Sequence, residues 1–323
     1  MYKILHTAKY NGLPLEILQK ACPNGFIVKT LDELSQEQLV KEAVDADYFL
    51  VSGRLSIDKN LLDNAPHLKM IQRTGVGTDM LDKEEIKRRG IPVYVNAGVN
   101  ARSVAEHTLM LILATLKRLP QVNLQMHNGI WKKQLSGVST NELCGKTVGI
   151  VGMGHVGRLV ASLLQPFQAK VIYTDIVRQS EDIEKDLKLT YCSSFEELLP
   201  LVDVLTLHCP MVSDVLEAIN ARTLAMMKEG SIIINTARGK LINPNDLYEA
   251  IKSGHIRAAA LDTHYEEPIK EGYKLAELDN VILTPHIGGL SYEAFEAMMI
   301  GAMENIDAFE KGHLSEIESK RIL

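Results

Sequence analysis

The feature that most constrains the fold is a short apolar run, Val148-Gly149-Ile150-Val151, ending in Gly152-Met153-Gly154-His155-Val156-Gly157. A helical apolar pattern follows at once, at Val156, Leu159, Val160, Leu163 and Leu164. Three glycines at that spacing between a strand and a helix have separate jobs. The first makes a tight turn, the second lets the backbone approach a pyrophosphate, and the third lets helix and strand pack closely. The phosphates then sit on unpaired N–H groups at the positive end of the helix. The next strand, Lys170–Asp175, ends in an acid 18 residues after Gly157. That is near the spacing at which a carboxylate binds adenosine ribose hydroxyls. Like-charge repulsion there disfavours the 2′-phosphate of NADP, so NAD is the expected cofactor; Arg178 nearby softens the preference. Cofactor contacts are expected from Gly152, Gly154, His155, Val156, Gly157 and Asp175, and from His208, Cys209 and Pro210 at the end of the Val202–His208 strand.

Strands and helices alternate on both sides of this turn. In the first hundred residues Lys3–Thr7, Phe26–Thr30, Tyr48–Ser52, Met70–Arg73 and Val93–Asn96 read as strands. Pro14–Cys22, Gln36–Val44, Ile57–Leu62 and Met80–Arg89 read as helices, with Ser35 as a cap and Gly90 as a C-terminal left-handed residue. Asn100–Leu119 reads as a long helix, apolar on more than one face and therefore buried. A less regular stretch follows, through Asn128-Gly129-Ile130-Trp131 and Ser136-Gly137. Strands resume at Thr147–Gly152, Lys170–Asp175, Val202–His208, Ser231–Asn235, Ala258–Asp262 and Val281–Leu283. Asn243 and Pro244 mark a helix start. The last helix, Tyr292–Lys311, has no strand after it and is expected to cross back to the first domain. Such alternation implies parallel strands with right-handed crossovers. The expected class is α/β, with two doubly wound parallel-sheet domains.

Composition narrows the partners. The 323 residues are 46% apolar and 24% charged, ordinary for a globular chain of two domains. The net charge is −6 with both signs interspersed, which argues against nucleic acid or an anionic membrane surface. The N-terminal Met1–Thr7 has no apolar core of a signal peptide, and no stretch approaches ~18 uncharged apolar residues, so a cytoplasmic chain is expected. Cys22, Cys144, Cys192 and Cys209 form no C-x-x-C pair, so neither disulfides nor a metal site is expected.

Ligands of open α/β sheets bind beyond the carboxyl ends of the strands. Arg238, Glu267 and His286 follow three consecutive strands there. A hydride transfer at an alcohol or ketone needs exactly this kind of set: an imidazole for the proton, a carboxylate to favour its protonated form, and an arginine for a substrate anion. Asn235-Thr236-Ala237-Arg238-Gly239, Asp262 with Glu266-Glu267-Pro268, and Thr284-Pro285-His286-Ile287-Gly288-Gly289 resemble the signatures of the D-isomer-specific 2-hydroxyacid dehydrogenases. The resemblance implies a Rossmann NAD-binding domain, 100–288, inserted into a flavodoxin-like substrate domain, 1–99 plus 289–323. It implies that Arg238 binds substrate, Glu267 supports the histidine and His286 is the acid/base, with Thr236, Ala237, Asp262 and Gly288 near the nicotinamide. It places the substrate loop at Arg73–Asp79, with the amides of Val76 and Gly77 on the carboxylate and Gly75 beside them, and a hinge at Gly98–Asn100. A homodimer through Asn100–Leu143 is also implied, which gives Trp131 a reason.

The sequence departs from the family pattern at two places. Thr263-His264-Tyr265 stands where relatives carry a Val-Phe-acid run, and His264 is expected to be a polar replacement on the outer side rather than a second active-site imidazole. Ser52 stands where phosphoglycerate dehydrogenases place an arginine, with Arg54 as a possible substitute in substrate binding. The expected reaction is NADH-linked reduction of a small 2-oxoacid of the glyoxylate, hydroxypyruvate or related type, with branched and aromatic 2-oxoacids left as candidates. The alternatives are phosphite oxidation on the same Arg/Glu/His set, or an NADH-responsive scaffold like the C-terminal-binding corepressors.

Overall fold

Short apolar runs too buried to alternate are the mark of parallel strands covered on both faces, and Tyr48–Val51 is one, buried at all four positions. The computed structural model describes residues 1–211 and 215–323. It divides into two units, Met1–Asn100 with Leu290–Leu323, and Ala101–Gly289. Both junctions fall one residue later than the sequence boundaries.

The first unit holds a sheet of β1 (Tyr2–His6), β2 (Phe26–Thr30), β3 (Tyr48–Val51), β4 (Met70–Arg73) and β5 (Val93–Tyr94). All pairs are parallel and the order is β2-β1-β3-β4-β5, the flavodoxin-like order, with its reversal between β1 and β3. Leu5, Phe49, Val51 and Ile71 face one apolar layer with Leu39, Leu61 and Ile86. Ile4, Tyr48, Leu50 and Met70 face another, covered by Met298, Met303 and Ile306 of the helix Tyr292–Glu310. That last helix therefore belongs to the first unit. Two helices start later than expected, at Lys59–Asp63 and Lys83–Arg88. Asp58 and Asp82 cap their first-turn amides, and the residues just before, Ile57 and Leu81, pair with each other in a parallel bridge.

The second unit holds β6 (Thr147–Val151), β7 (Lys170–Thr174), β8 (Leu189–Tyr191), β9 (Val204–Leu207), β10 (Ser231–Asn235), β11 (Ile256–Leu261) and β12 (Val281–Leu283). The order is β12-β11-β10-β9-β6-β7-β8, all parallel, with the reversal between β6 and β9. The short edge strand β8 was not expected. Val148, Ile150, Ile232 and Ile234 pack under Leu111, Ile112, Val160 and Leu164. Leu205, Ile233 and Leu261 pack against Leu224, Leu247 and Ile251 on the other face.

The expected helix Asn100–Leu119 runs only from Ala101 to Leu116. Arg118 then turns into the left-handed region, φ 52°, and Pro120 opens a second helix, Leu119–His127, followed by a third, Lys133–Val138. The stretch read as irregular is thus mostly helical. None of the described helices is long and apolar enough to cross a membrane.

Candidate active site

The glycine turn divides its labour as the motif requires. Gly152 has φ 96°, which an L side chain rarely adopts, and a Cβ there would lie 2.7 Å from the Cys209 nitrogen. The turn after β6 and the His208-Cys209 loop after β9 therefore touch at the reversal of strand order. A Cβ on Gly157 would lie 2.1 Å from the Gly152 carbonyl oxygen, so this glycine lets the helix His155–Leu164 close on the turn. A Cβ on Gly154 would meet nothing within 4 Å. Among the described residues no side chain caps this helix, whereas Ser35, Ser180, Asn243 and Ser291 cap theirs.

Asp175 is tied to the turn: its carboxylate accepts from the Met153 amide at 2.5 Å and the Val177 amide at 3.1 Å. Arg178 is engaged in a two-pronged pair with Glu184, at 2.9 and 2.8 Å. Desolvation pushes the His208 imidazole down to about 3 and the Cys209 thiol up to about 11. His208 Nε2 lies 2.9 Å from the Thr206 hydroxyl.

Beyond β10, the buried Asn235 shapes the turn that carries Arg238. Its side chain accepts from the Ala237 amide at 3.0 Å and donates to the Arg238 carbonyl at 2.9 Å. Arg238 Nη1 donates to the Ala237 carbonyl at 2.8 Å. Thr236 is buried and its hydroxyl lies 2.9 Å from that of Thr108.

Beyond β11 and β12, Glu267 and His286 meet: His286 Nδ1 is 2.9 Å from Glu267 Oε2. The carboxylate fixes Nδ1 as the inner nitrogen and leaves Nε2 for proton transfer on a side chain 44% exposed. His286 has φ 61°, a left-handed conformation that costs a non-glycine residue on the order of 1 kcal/mol. Asp262 holds the turn there. It accepts from the Thr284 hydroxyl at 2.6 Å and from the amides of Ile287 and Gly288 at 2.9 and 2.8 Å. Burial would raise this carboxyl, but hydrogen bonds from His107, Thr284 and the two amides outweigh it and hold it at about 2.

Residues 109–288 match the family described as D-isomer specific 2-hydroxyacid dehydrogenase, NAD binding domain. The chain belongs to that family. It is an NAD-dependent oxidoreductase of the CH–OH group. It is similar to the glyoxylate reductase of Pyrococcus furiosus, 35% identical over 87% of this chain and 84% of that protein. It is equally similar to the D-3-phosphoglycerate dehydrogenase of Methanocaldococcus jannaschii, 35% identical over 98% of this chain, but spans only 59% of that protein's length. Among solved structures, the D-lactate dehydrogenase of Aquifex aeolicus complexed with NAD and lactic acid superposes with a TM-score of 0.86, at 28% identity, over 99% of this chain and 98% of that one.

The dehydrogenase's own residues fit NAD. The open backbone at Gly154, the helix start without a side-chain cap and the acid on the turn suit a pyrophosphate and a ribose diol. Arg178, the one residue that favoured a 2′-phosphate, is bound to Glu184 instead. Among the described residues no cluster of three His, Cys, Asp or Glu side chains could hold a metal.

The first unit presents its own strand ends. Thr7 and Ser52 clasp across its reversal point, Thr7 Oγ1 donating to the Ser52 carbonyl at 2.9 Å and accepting from the Ser52 amide at 3.2 Å. Ser52 Oγ lies 2.5 Å from Nε2 of the fully buried His6, whose imidazole burial pushes down to about 3. Ser52 is thereby a packed structural residue, while Arg54 after it is exposed. After β4, Gly75 accepts from the Asn96 amide at 3.3 Å and Val76 is 52% exposed. Gly77 follows as the next residue of the same loop. Asn96 Nδ2 also donates to the Thr74 and Met298 carbonyls, and Asn305 donates to Asn96 and Gln72. This buried amide network anchors the loop.

Sequence reasoning missed His107 and Thr284. His107 Nε2 lies 3.2 Å from the Thr284 hydroxyl and 3.4 Å from Asp262. One turn earlier, Ser103 donates to the Gly288 carbonyl at 2.7 Å. Ser103 and His107, polar residues at i and i+4 on a helix with many buried positions, were the available signal. The expectation for His264 is corrected. It is buried, not on an outer face: its Nε2 is 2.9 Å from the Thr284 carbonyl and its amide donates to Glu267 at 2.9 Å.

Proposed function

We propose that this dehydrogenase reduces a small 2-oxoacid of the glyoxylate or hydroxypyruvate type, with His286 as the proton donor, Glu267 as its orienting carboxylate and Arg238 as the clamp on the substrate. The observation that carries the reading is the 2.9 Å contact between His286 Nδ1 and Glu267 Oε2. NADH, when bound, supplies a hydride to the carbonyl carbon. His286 Nε2 gives its proton to the carbonyl oxygen as that oxygen gains charge, and the Glu267 carboxylate stabilises the imidazolium before transfer. Arg238 holds the substrate carboxylate and polarises the carbonyl with a planar fork. On the first unit, the amides of Val76 and Gly77, with Gly75 beside them, and Arg54 are the substrate-binding groups of this reading. Thr236, Ala237, Asp262 and Gly288 frame the nicotinamide, while Gly152 to Gly157, Asp175, His208, Cys209 and Pro210 frame the rest of NAD.

The glyoxylate reductase likeness, spanning 84% of that relative, supports the small-substrate choice. Ser52, held by His6 in the place of a phosphate-binding arginine, argues against 3-phosphoglycerate. A homodimer in the cytoplasm is part of the reading. Leu119, Leu124, Trp131, Leu135 and Val138 are all exposed on the helical segment 119–138, Trp131 at 76%, and a second copy of this segment would cover them.

The test is NADH consumption against glyoxylate, hydroxypyruvate, branched and aromatic 2-oxoacids, 3-phosphohydroxypyruvate, and phosphite with NAD. Turnover with the first two is expected to be fastest. Arg238→Lys should lose most kcat/KM, because a point charge cannot replace the fork. Unchanged kinetics would make Arg238 structural.

A further inference from the structure

His264 sits in a segment that touches every catalytic element of the second unit. Its carbonyl would lie 1.9 Å from a Cβ on Gly239, so the backbone of residues 264–265 rests directly against the residue after Arg238. Its amide donates to Glu267 Oε1 at 2.9 Å, while Glu267 Oε2 faces His286. Its imidazole Nε2 lies 2.9 Å from the Thr284 carbonyl oxygen. That oxygen also accepts the His286 amide at 3.0 Å. The two bonds converge on one acceptor at the start of the turn that holds His286 at φ 61°.

A carbonyl oxygen only accepts, so Nε2 of His264 carries the proton. Nδ1 is buried with no hydrogen-bond partner among the described residues, a cost that a residue chosen only to fill space would not carry. The ring packs edge-on against Tyr273 with centroids 5.8 Å apart, a contact that phenylalanine would keep.

We propose that His264 is a positioning residue for the acid–base pair, its Nε2–H fixing the Thr284 carbonyl and hence the turn that presents His286 to Glu267. The proposal rests on the assignment of His286 and Glu267 as that pair. Loss of the donor frees the Thr284–Pro285 peptide to rotate, and the left-handed turn relaxes. The imidazole of His286 then drifts from the reacting oxygen, and a displacement of about 1 Å can cost a factor of up to ~100 in turnover.

Two variants and one spectrum test this in the full-length protein. His264→Phe keeps the ring against Tyr273 and removes the donor; His264→Gln puts an amide N–H near the Nε2 position. His264→Phe should lower kcat by about 10- to 100-fold with KM for NADH within about twofold, and His264→Gln should recover to within about threefold of wild type. Long-range 15N–1H correlation of histidine-labelled protein, with the His264 signal assigned by its loss in His264→Gln, should show the Nε2–H tautomer. Wild-type kcat in His264→Phe would overturn the proposal. So would equal impairment of both variants with parallel loss of thermal stability, since that is a packing role. If His264→Phe does not fold, the Gln variant and the tautomer decide, and an Nδ1–H signal overturns the proposal. The spectrum needs no substrate, so a wild-type protein silent on every 2-oxoacid would refute the substrate reading without deciding this one.

Discussion

Replacing Gly157 by alanine separates the two functions of the glycine turn. A Cβ there would lie 2.1 Å from the Gly152 carbonyl oxygen, whereas ordinary contact begins at 3.4 Å, so helix and turn must part by 1.3 Å (3.4 − 2.1). Overpacking of that size costs about 1–3 kcal/mol, and a unit of this length loses about 2–4 °C of Tm per kcal/mol. The same shift would move the turn amides proposed to hold the pyrophosphate. Each contact to a charged group is worth about 1.5–3 kcal/mol, so NADH should bind roughly 10- to 100-fold more weakly. Gly154→Ala is the matched control. Its φ of −76° suits alanine and its Cβ meets no protein atom within 4 Å, so stability should hold while NADH binding falls. Fluorescence titration with NADH and thermal melts of both variants measure this. Gly157→Ala with unchanged Tm and NADH affinity would refute the reasoning, as would Gly154→Ala losing stability but not NADH.

Acid stability offers a second check. Burial holds His6 near 3 in the fold against its ordinary 6.5, so the unfolded chain binds the extra proton. Its contribution is complete above pH 6.5 and is lost as pH falls toward 3, reaching about 2 kcal/mol at pH 5. Urea unfolding at pH 7 and pH 5 should show that loss in the wild type and a smaller one in His6→Gln; equal losses would remove His6 from the account. The homodimer proposed through segment 119–138 predicts that Trp131→Glu with Leu135→Glu shifts the sedimentation mass from dimer to monomer. An unchanged mass would place the interface elsewhere.

The parallel sheets were legible because the central strands carry a short apolar run followed by a polar turn, Ile232-Ile233-Ile234-Asn235 being the clearest. The strand β8 was not, because Leu189-Thr190-Tyr191 is three residues long and half-exposed, and only pairing with β7 makes it a strand. The helices after Leu116 were missed because Asn128-Gly129 and Ser136-Gly137 marked the stretch as irregular. Pro120 occupies a helix start, where its missing N–H costs nothing. Met80 and Leu81 looked like a first helical turn, but Asp82 is the cap and Leu81 pairs with Ile57.

At the site, the sequence marked Glu267 and His286 after consecutive strands, and the two side chains meet. What spacing could not supply was the support beneath them. Asp262 organises the turn of residues 284–288 through bonds that cross from β11 to β12, and His107 reaches it from a helix more than 150 residues earlier in the chain. Nor could a pattern tell a buried His264 from an outward one, since that depends on where the Thr284 carbonyl points.

The most direct test of the central claim is His286→Ala, read by NADH oxidation with glyoxylate and hydroxypyruvate alongside NADH affinity by fluorescence. The account predicts that turnover falls by about 10²–10⁴-fold while NADH binds within about twofold of wild type, because the glycine turn is untouched. Turnover near that of the wild type would contradict it.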